Sequence, residues 1–151
     1  MKEYELAPNI HHYLGIEMNR QIWNLLLKKD RDKLENNRMI ALVYASQYHW
    51  YRSPTWKPVN AQRGEWLISH VFAALKNGEE ALEHAEKCMD LTREHKIEDF
   101  DLAYAFEAIS RAYKILENDE KKKEYFELAE TAGDKIADEE DKKIFFNDLN
   151  S

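Results

Sequence analysis

An all-α fold is predicted by three features of the chain. Apolar residues recur at helical spacing almost throughout, and no stretch keeps the apolar–polar alternation of a half-buried strand. Only 4 Gly and 3 Pro occur in 151 residues, too few for a turn-rich sandwich or barrel. The breaks between periodic segments are short, so successive helices are expected to pair as hairpins.

The first helix is predicted from about Asn9 to Lys28, with Ile10, Leu14, Met18, Ile22, Leu25 and Leu26 on one face. Asp30 and Asp32 mark a break and a candidate N-cap, and a second helix is predicted over about Arg31–Tyr51. Arg52-Ser53-Pro54-Thr55-Trp56-Lys57-Pro58 is the clearest loop, because each proline lacks a backbone donor and pushes the residue before it toward extended backbone. Pro58 suits the first position of a third helix, which Lys76-Asn77-Gly78 is expected to end. A fourth helix follows over about Glu79–His95 and a fifth over about Asp99–Glu117. Asn118-Asp119 is the next break, before a sixth over about Glu120–Ala132 that Gly133 is expected to stop. A short seventh, about Asp138–Leu149, carries Ile144, Phe145 and Leu149 on one face.

Charge and cysteine content narrow the function classes. The formal charge is −7, with 10 Lys and Arg against 7 Asp and Glu in residues 1–75 and 12 against 22 in residues 76–151. So acidic a second half repels phosphate backbones, and nucleic acid is not an expected partner. No stretch approaches the roughly 20 apolar residues that cross a bilayer, and mean hydropathy is −0.76. The stretch MKEYELAPNIHHY has no apolar leader core, and a lone cysteine, Cys88, excludes an internal disulfide framework. A cytoplasmic protein with no membrane contact is expected.

The chain repeats itself at a shift of 41 residues. Ile68–Glu80 aligns with Ile109–Lys121, with identities at Ile68/Ile109, Ser69/Ser110, Leu75/Leu116 and Glu79/Glu120, and an aromatic kept at Phe72/Tyr113. Repeats of such a period signal stacked helical hairpins, each burying a face on the next.

The run from Phe72 through Gly78-Glu79-Glu80-Ala81-Leu82-Glu83 to Ala85-Glu86-Lys87-Cys88 resembles the tetratricopeptide repeat (TPR), through Phe72, Ala81, Ala85 and Cys88. In the second copy Tyr113 and Ala129 match, but Lys122 and Phe126 replace the small residues, so this hairpin is expected to pack less closely on the next element of the chain. The spacing of 41 exceeds the usual ~34 of the family and implies helices about one turn longer. Ala41 and Ala45 mimic Ala81 and Ala85 more weakly in the second helix. The resemblance implies a right-handed superhelix of three antiparallel hairpins (about 9–51, 58–95 and 99–132) and a capping helix (about 138–149) in one domain. His49-Trp50 followed by Arg63-Gly64-Glu65-Trp66 is similar to a group of small bacterial helical-repeat proteins without assigned function, which implies no activity.

On a helical wheel Gly64, Leu67, Ile68, Val71, Phe72 and Leu75 share one side of the third helix, and Arg63, Trp66, His70 and Ala74 the other, with Ala73 beside them. The TPR resemblance implies that this second side lines a concave groove. Arg63, Trp66 and His70 would be joined there by Tyr104, Glu107, Arg111 and Lys114 of the fifth helix. Trp, Tyr and Arg are the side chains that dominate binding hot spots. The alternative is structural: Trp66 packs against the first helix, and Arg63 pairs with Glu107. Trp66 and His70 stand where carboxylate-clamp repeats use Lys and Asn, which argues against recognition of a peptide C-terminus by that clamp.

Tyr44, Tyr48, His49, Trp50, Tyr51 and Trp56 form an aromatic segment that reads either as a cage closing the groove or as a cluster buried under Pro54 and Pro58. Gly64 inside a helix costs about 1 kcal/mol against Ala, so a close helix contact is expected there. No HExxH, CxxC, Gly-rich phosphate loop, nucleophile elbow or nucleophile–base pairing is present, so no catalytic residue, metal or cofactor is assigned. His84 and Cys88 stand four apart, but Cys88 is expected in the core. His49, Glu65 and His70 would converge if the second and third helices run antiparallel.

These readings lead to a non-catalytic protein- or peptide-binding module using the groove and the aromatic loop (His49, Trp50 and Trp56). A His-based metal or small-molecule site at His49, Glu65 and His70 is one alternative. A homodimer built on the four Trp is the other.

Overall fold

Seven helices follow one another in the computed structural model, which describes Ala7 and residues 9–151: α1 (Ile10–Leu27), α2 (Lys33–Arg52), α3 (Pro58–Ala74), α4 (Gly78–Glu94), α5 (Asp99–Ile115), α6 (Asp119–Asp134) and α7 (Glu139–Leu149). Met1–Leu6, on which the absence of a leader was read, lie outside the described residues, as does Pro8. Among the described residues there is no strand, and no helix is long and apolar enough to cross a membrane.

Sequence chemistry sets the helix ends. Asp32 caps α2 through a capping box, accepting from Glu35 N at 2.8 Å while Glu35 returns a bond to Asp32 N at 3.0 Å. Asn77, Asn118 and Asp138 accept in the same way from Glu80 N, Lys121 N and Asp141 N.

α3, α4 and α5 finish in one type of cap. The backbone turns left-handed at Lys76, Lys96 and Glu117 (φ 61°, 51° and 58°). The next residue's N–H then reaches five residues back, Asn77 to Phe72 O, Ile97 to Thr92 O and Asn118 to Tyr113 O. Gly78 is therefore not the terminating residue. It opens α4, where a Cβ would stand 2.8 Å from Leu116. Gly133 does not stop α6 either: it lies inside the helix, and a Cβ there would overlap the Phe145 ring.

α1 packs chiefly on α2, α3 on α4 and α5 on α6, while α4 also contacts α5, α2 contacts α3, and α7 sits against α5 and α6. The 41-residue repeat is visible in hydrogen bonds. Ser69 Oγ donates to Ala81 O at 2.7 Å and Ser110 Oγ donates to Lys122 O at 2.9 Å, each tying the two helices of one hairpin.

The core forms three clusters in sequence. The first joins Ile22, Met39, Val43, Ile68 and Val71; the second Ala85, Cys88, Met89, Ala105 and Ile109; the third Ala103, Ala129, Ile136, Phe145 and Leu149. Trp66 packs against the first two clusters and Phe106 against the last two. Ile144, expected on the inner face of α7, is 52 % exposed, and Phe146 packs inward beside Phe145 instead.

Candidate functional site: the groove between α3 and α5

The buried side of α3 (Leu67, Ile68, Val71 and Phe72) holds the helix on the core, so its opposite side turns Trp66 and His70 toward α5. Ala73, expected beside them, is buried in the core instead. A cavity of about 530 Å³ opens there, and Trp66, His70, Tyr104, Glu107, Arg111 and Lys114 all line it. Arg63 lines an adjoining cavity of about 300 Å³ that shares Trp23, Trp66, Tyr104 and Asp148 with the first. The structure thus brings the seven predicted groove residues onto two contiguous hollows.

The aromatic wall is continuous. Trp66 meets Trp23 of α1 at 6.1 Å between ring centroids, His70 at 5.1 Å and Tyr104 edge-on at 5.6 Å. The packing of Trp66 against the first helix, expected as the alternative to a groove role, therefore coexists with a place in the groove. The Arg111 guanidinium lies over the Trp66 ring and forks onto Glu107, with Nε to Oε1 at 2.9 Å. It also donates to His70 Nδ1, which makes His70 the tautomer protonated on Nε2. Burial and then the Arg111 charge push the His70 imidazole down to about 3, so His70 is neutral.

The expected Arg63–Glu107 pair does not form. Arg63 forks onto Asp101 with both bonds at 2.9 Å and lies over Phe100, while Glu107 is held by Arg111. Tyr104 donates to Asp148 Oδ2 at 2.6 Å, and burial followed by that bond raises its phenol above the ordinary tyrosine range. With both arginines matched, Lys114 and Lys122 are lining cations that form no ion pair among the described residues. Gln62 Nε2 donates to Thr92 Oγ1 and Asp101 O, leaving its buried Oε1 without a partner; the buried Trp66 Nε1 is also unpartnered.

Several lining residues were not anticipated: Trp23, Lys122, Phe126 and the end of the chain from Asp148 to Ser151. Lys122 and Phe126 did carry a signal. They stand where the first repeat has Ala81 and Ala85, which are fully buried, and the larger side chains face a cavity there.

Of the aromatic segment, Trp50 packs on Gly15 and edge-on to His12 and lines a third cavity of about 170 Å³, which shares Asn19, Arg63 and Leu67 with the 300 Å³ hollow; His49 meets His11, and Trp56 lies on Tyr51. Tyr44 reaches α4. Gly64 faces Gln47 at ordinary contact, with a Cβ 3.5 Å from Gln47 Cγ, so the tight contact expected of it is missing.

His49, Glu65 and His70 do not converge. They are engaged by His11, by Gln47 and His84, and by Arg111 respectively. Among the described residues no group of three or more His, Cys, Asp or Glu is placed to hold a metal. Cys88 is buried, and burial pushes its thiol up to about 12, leaving it a poor ligand or nucleophile.

One acid–base chain has no motif to mark it in the sequence. Glu65 Oε2 accepts from His84 Nδ1 at 2.6 Å, and His84 Nε2 lies 3.1 Å from the Tyr44 hydroxyl. It lines none of the three cavities. Comparison with family models, curated proteins and solved structures finds no match for this chain.

Proposed function

We propose that the protein is a non-catalytic binding module with TPR-like hairpin stacking, and that the hollow between α3 and α5 receives a peptide segment of a protein partner. The observation that carries this is the convergence of Trp23, Trp66 and Tyr104 with Lys114 and Lys122 on one cavity of about 530 Å³. Aromatic walls supply contact area at low entropic cost, and lining cations without ion pairs supply attraction that no internal pair consumes.

Selection of a random peptide library on the full chain tests this. Selected peptides should change tryptophan fluorescence and lose at least about tenfold in affinity in a Lys114→Glu/Lys122→Glu variant. Binding equal to the parent's in that variant would place the site elsewhere.

A second reading, self-association, is supported by the outer face of α1. Tyr13, Ile16 and Leu27 are 61, 50 and 77 % exposed, and with Arg20 and Trp23 they follow a three–four spacing. Sedimentation of Ile16→Glu against the parent at several concentrations distinguishes a dimer seam from a solvated stripe. A mass that depends on concentration in the parent alone indicates the seam.

A further inference from the structure

His11 stands in the first turn of α1 and His49 in the last turn of α2, and their Nδ1 atoms lie 2.8 Å apart with ring centroids at 5.1 Å and planes 32° apart. At this separation two neutral imidazoles share one proton, one ring donating and the other accepting. The same separation has a second meaning in coordination chemistry. Two cis ligands about 2.0 Å from an ion and about 90° apart are about 2.8 Å from each other, whereas a tetrahedral angle spreads them to about 3.3 Å. From this spacing we propose that His11 and His49 form a two-imidazole chelate for a divalent ion of square-planar or octahedral preference, Ni²⁺ or Cu²⁺, in place of Zn²⁺.

Several features suit the pair to this role. Both rings are half-buried, and both are carried on helices, whose packing on each other sets the spacing. Tyr48 lies edge-on to both rings, at 6.1 Å from His11 and 5.4 Å from His49, and limits their rotation. Neighbouring His12 is directed elsewhere, its Nδ1 lying 3.3 Å from Ser53 Oγ and 3.1 Å from Thr55 Oγ1. The ion would take two protein nitrogens and complete its shell with water, and it would pin the first turn of α1 to the last turn of α2. The site is separate from the groove, since neither histidine lines either groove cavity.

Titration of the full chain with NiCl₂, CuCl₂ and ZnCl₂ tests the proposal. One equivalent of Ni²⁺ should bind at least as tightly as Zn²⁺ and raise the melting temperature, and the Cu²⁺ complex should show two imidazole nitrogens by electron paramagnetic resonance. His11→Ala and His49→Ala should each weaken Ni²⁺ binding by at least about tenfold, while His95→Ala, at an exposed end of α4, leaves it unchanged. Circular dichroism of each variant separates loss of the site from loss of the fold, and His49→Gln, which keeps most of the side-chain volume, substitutes for a variant that unfolds. Ni²⁺ affinity unaltered in folded His11→Ala or His49 variants, Zn²⁺ binding tighter than Ni²⁺, or no saturable binding to the parent would each overturn the assignment.

Discussion

Glu65 and His84 meet across α3 and α4 with 2.6 Å between Oε2 and Nδ1, and both side chains are largely removed from water. A carboxylate only accepts, so Nδ1 carries the proton and Nε2 is left to face the Tyr44 hydroxyl of α2 at 3.1 Å. Gln47, also on α2, donates to the second Glu65 oxygen at 2.9 Å. The chain of bonds therefore ties three helices at one point. A double-mutant cycle of Glu65→Ala and His84→Ala, followed by urea unfolding, should return a coupling of about 1–2 kcal/mol. Additive single effects would show that the contact contributes only packing.

Neutral His70 makes stability depend on pH. Its folded value, about 3, lies below the ordinary 6.5, so the unfolded chain takes up a proton that the folded chain refuses. Its contribution is complete above the unfolded value and is lost as pH falls from about 6.5 toward about 3. Between about pH 7.5 and about pH 5.5 this group alone removes about 1.4 kcal/mol. His70→Asn keeps an acceptor near the Nδ1 position for Arg111 but does not titrate. Its urea midpoint should therefore fall less than the parent's over that interval, and equal falls would mean that the imidazole is solvated.

The helices and the repeat were readable because they rest on local chemistry: apolar spacing, capping side chains and prolines. Ser69 and Ser110, aligned by sequence alone, make equivalent bonds in the structure. Trp66 and His70 were readable for a related reason, since a wheel separates them from the buried side of α3, and the 41-residue repeat carried the same positions to Tyr104, Glu107, Arg111 and Lys114 of α5. What escaped depends on neighbours remote in sequence. Whether Arg63 pairs with Asp101 or Glu107 is decided by how α3 crosses α5, and Arg111 had already claimed Glu107. Trp23 and Asp148 reach the groove from α1 and α7, whose positions no pattern within α3 or α5 specifies.

Two glycines inside helices should respond in opposite directions. A Cβ at Gly133 runs into the rings of Phe145 and Phe146, two side chains that hold α7 on α6. Gly133→Ala should cost about 1–3 kcal/mol through overpacking and loosen α7. At Gly64 the nearest neighbour is the flexible Gln47 side chain at ordinary contact distance. Gly64→Ala should stabilise by up to about 1 kcal/mol through helix propensity. Thermal unfolding of the two variants reads the contrast directly, and destabilisation at Gly64 would reveal a closer α2–α3 approach.

The helix ends at Lys76 and Glu117 offer the last test. Both residues adopt left-handed backbone without being glycine, at φ 61° and 58°, and both are exposed. A Cβ in this region costs roughly 1–2 kcal/mol, and a glycine gives back part of that gain through its freer unfolded state. Lys76→Gly and Glu117→Gly should therefore each stabilise by about 0.5–1 kcal/mol. Gly78→Ala should do the reverse, since its Cβ would press on Leu116 and Ile115 of α5. Glycine thus sits where a neighbouring helix needs room, and the left-handed turn is left to lysine and glutamate. Urea midpoints that fall in Lys76→Gly would mean that the lysine side chain, through contacts of its own, outweighs the backbone strain it imposes.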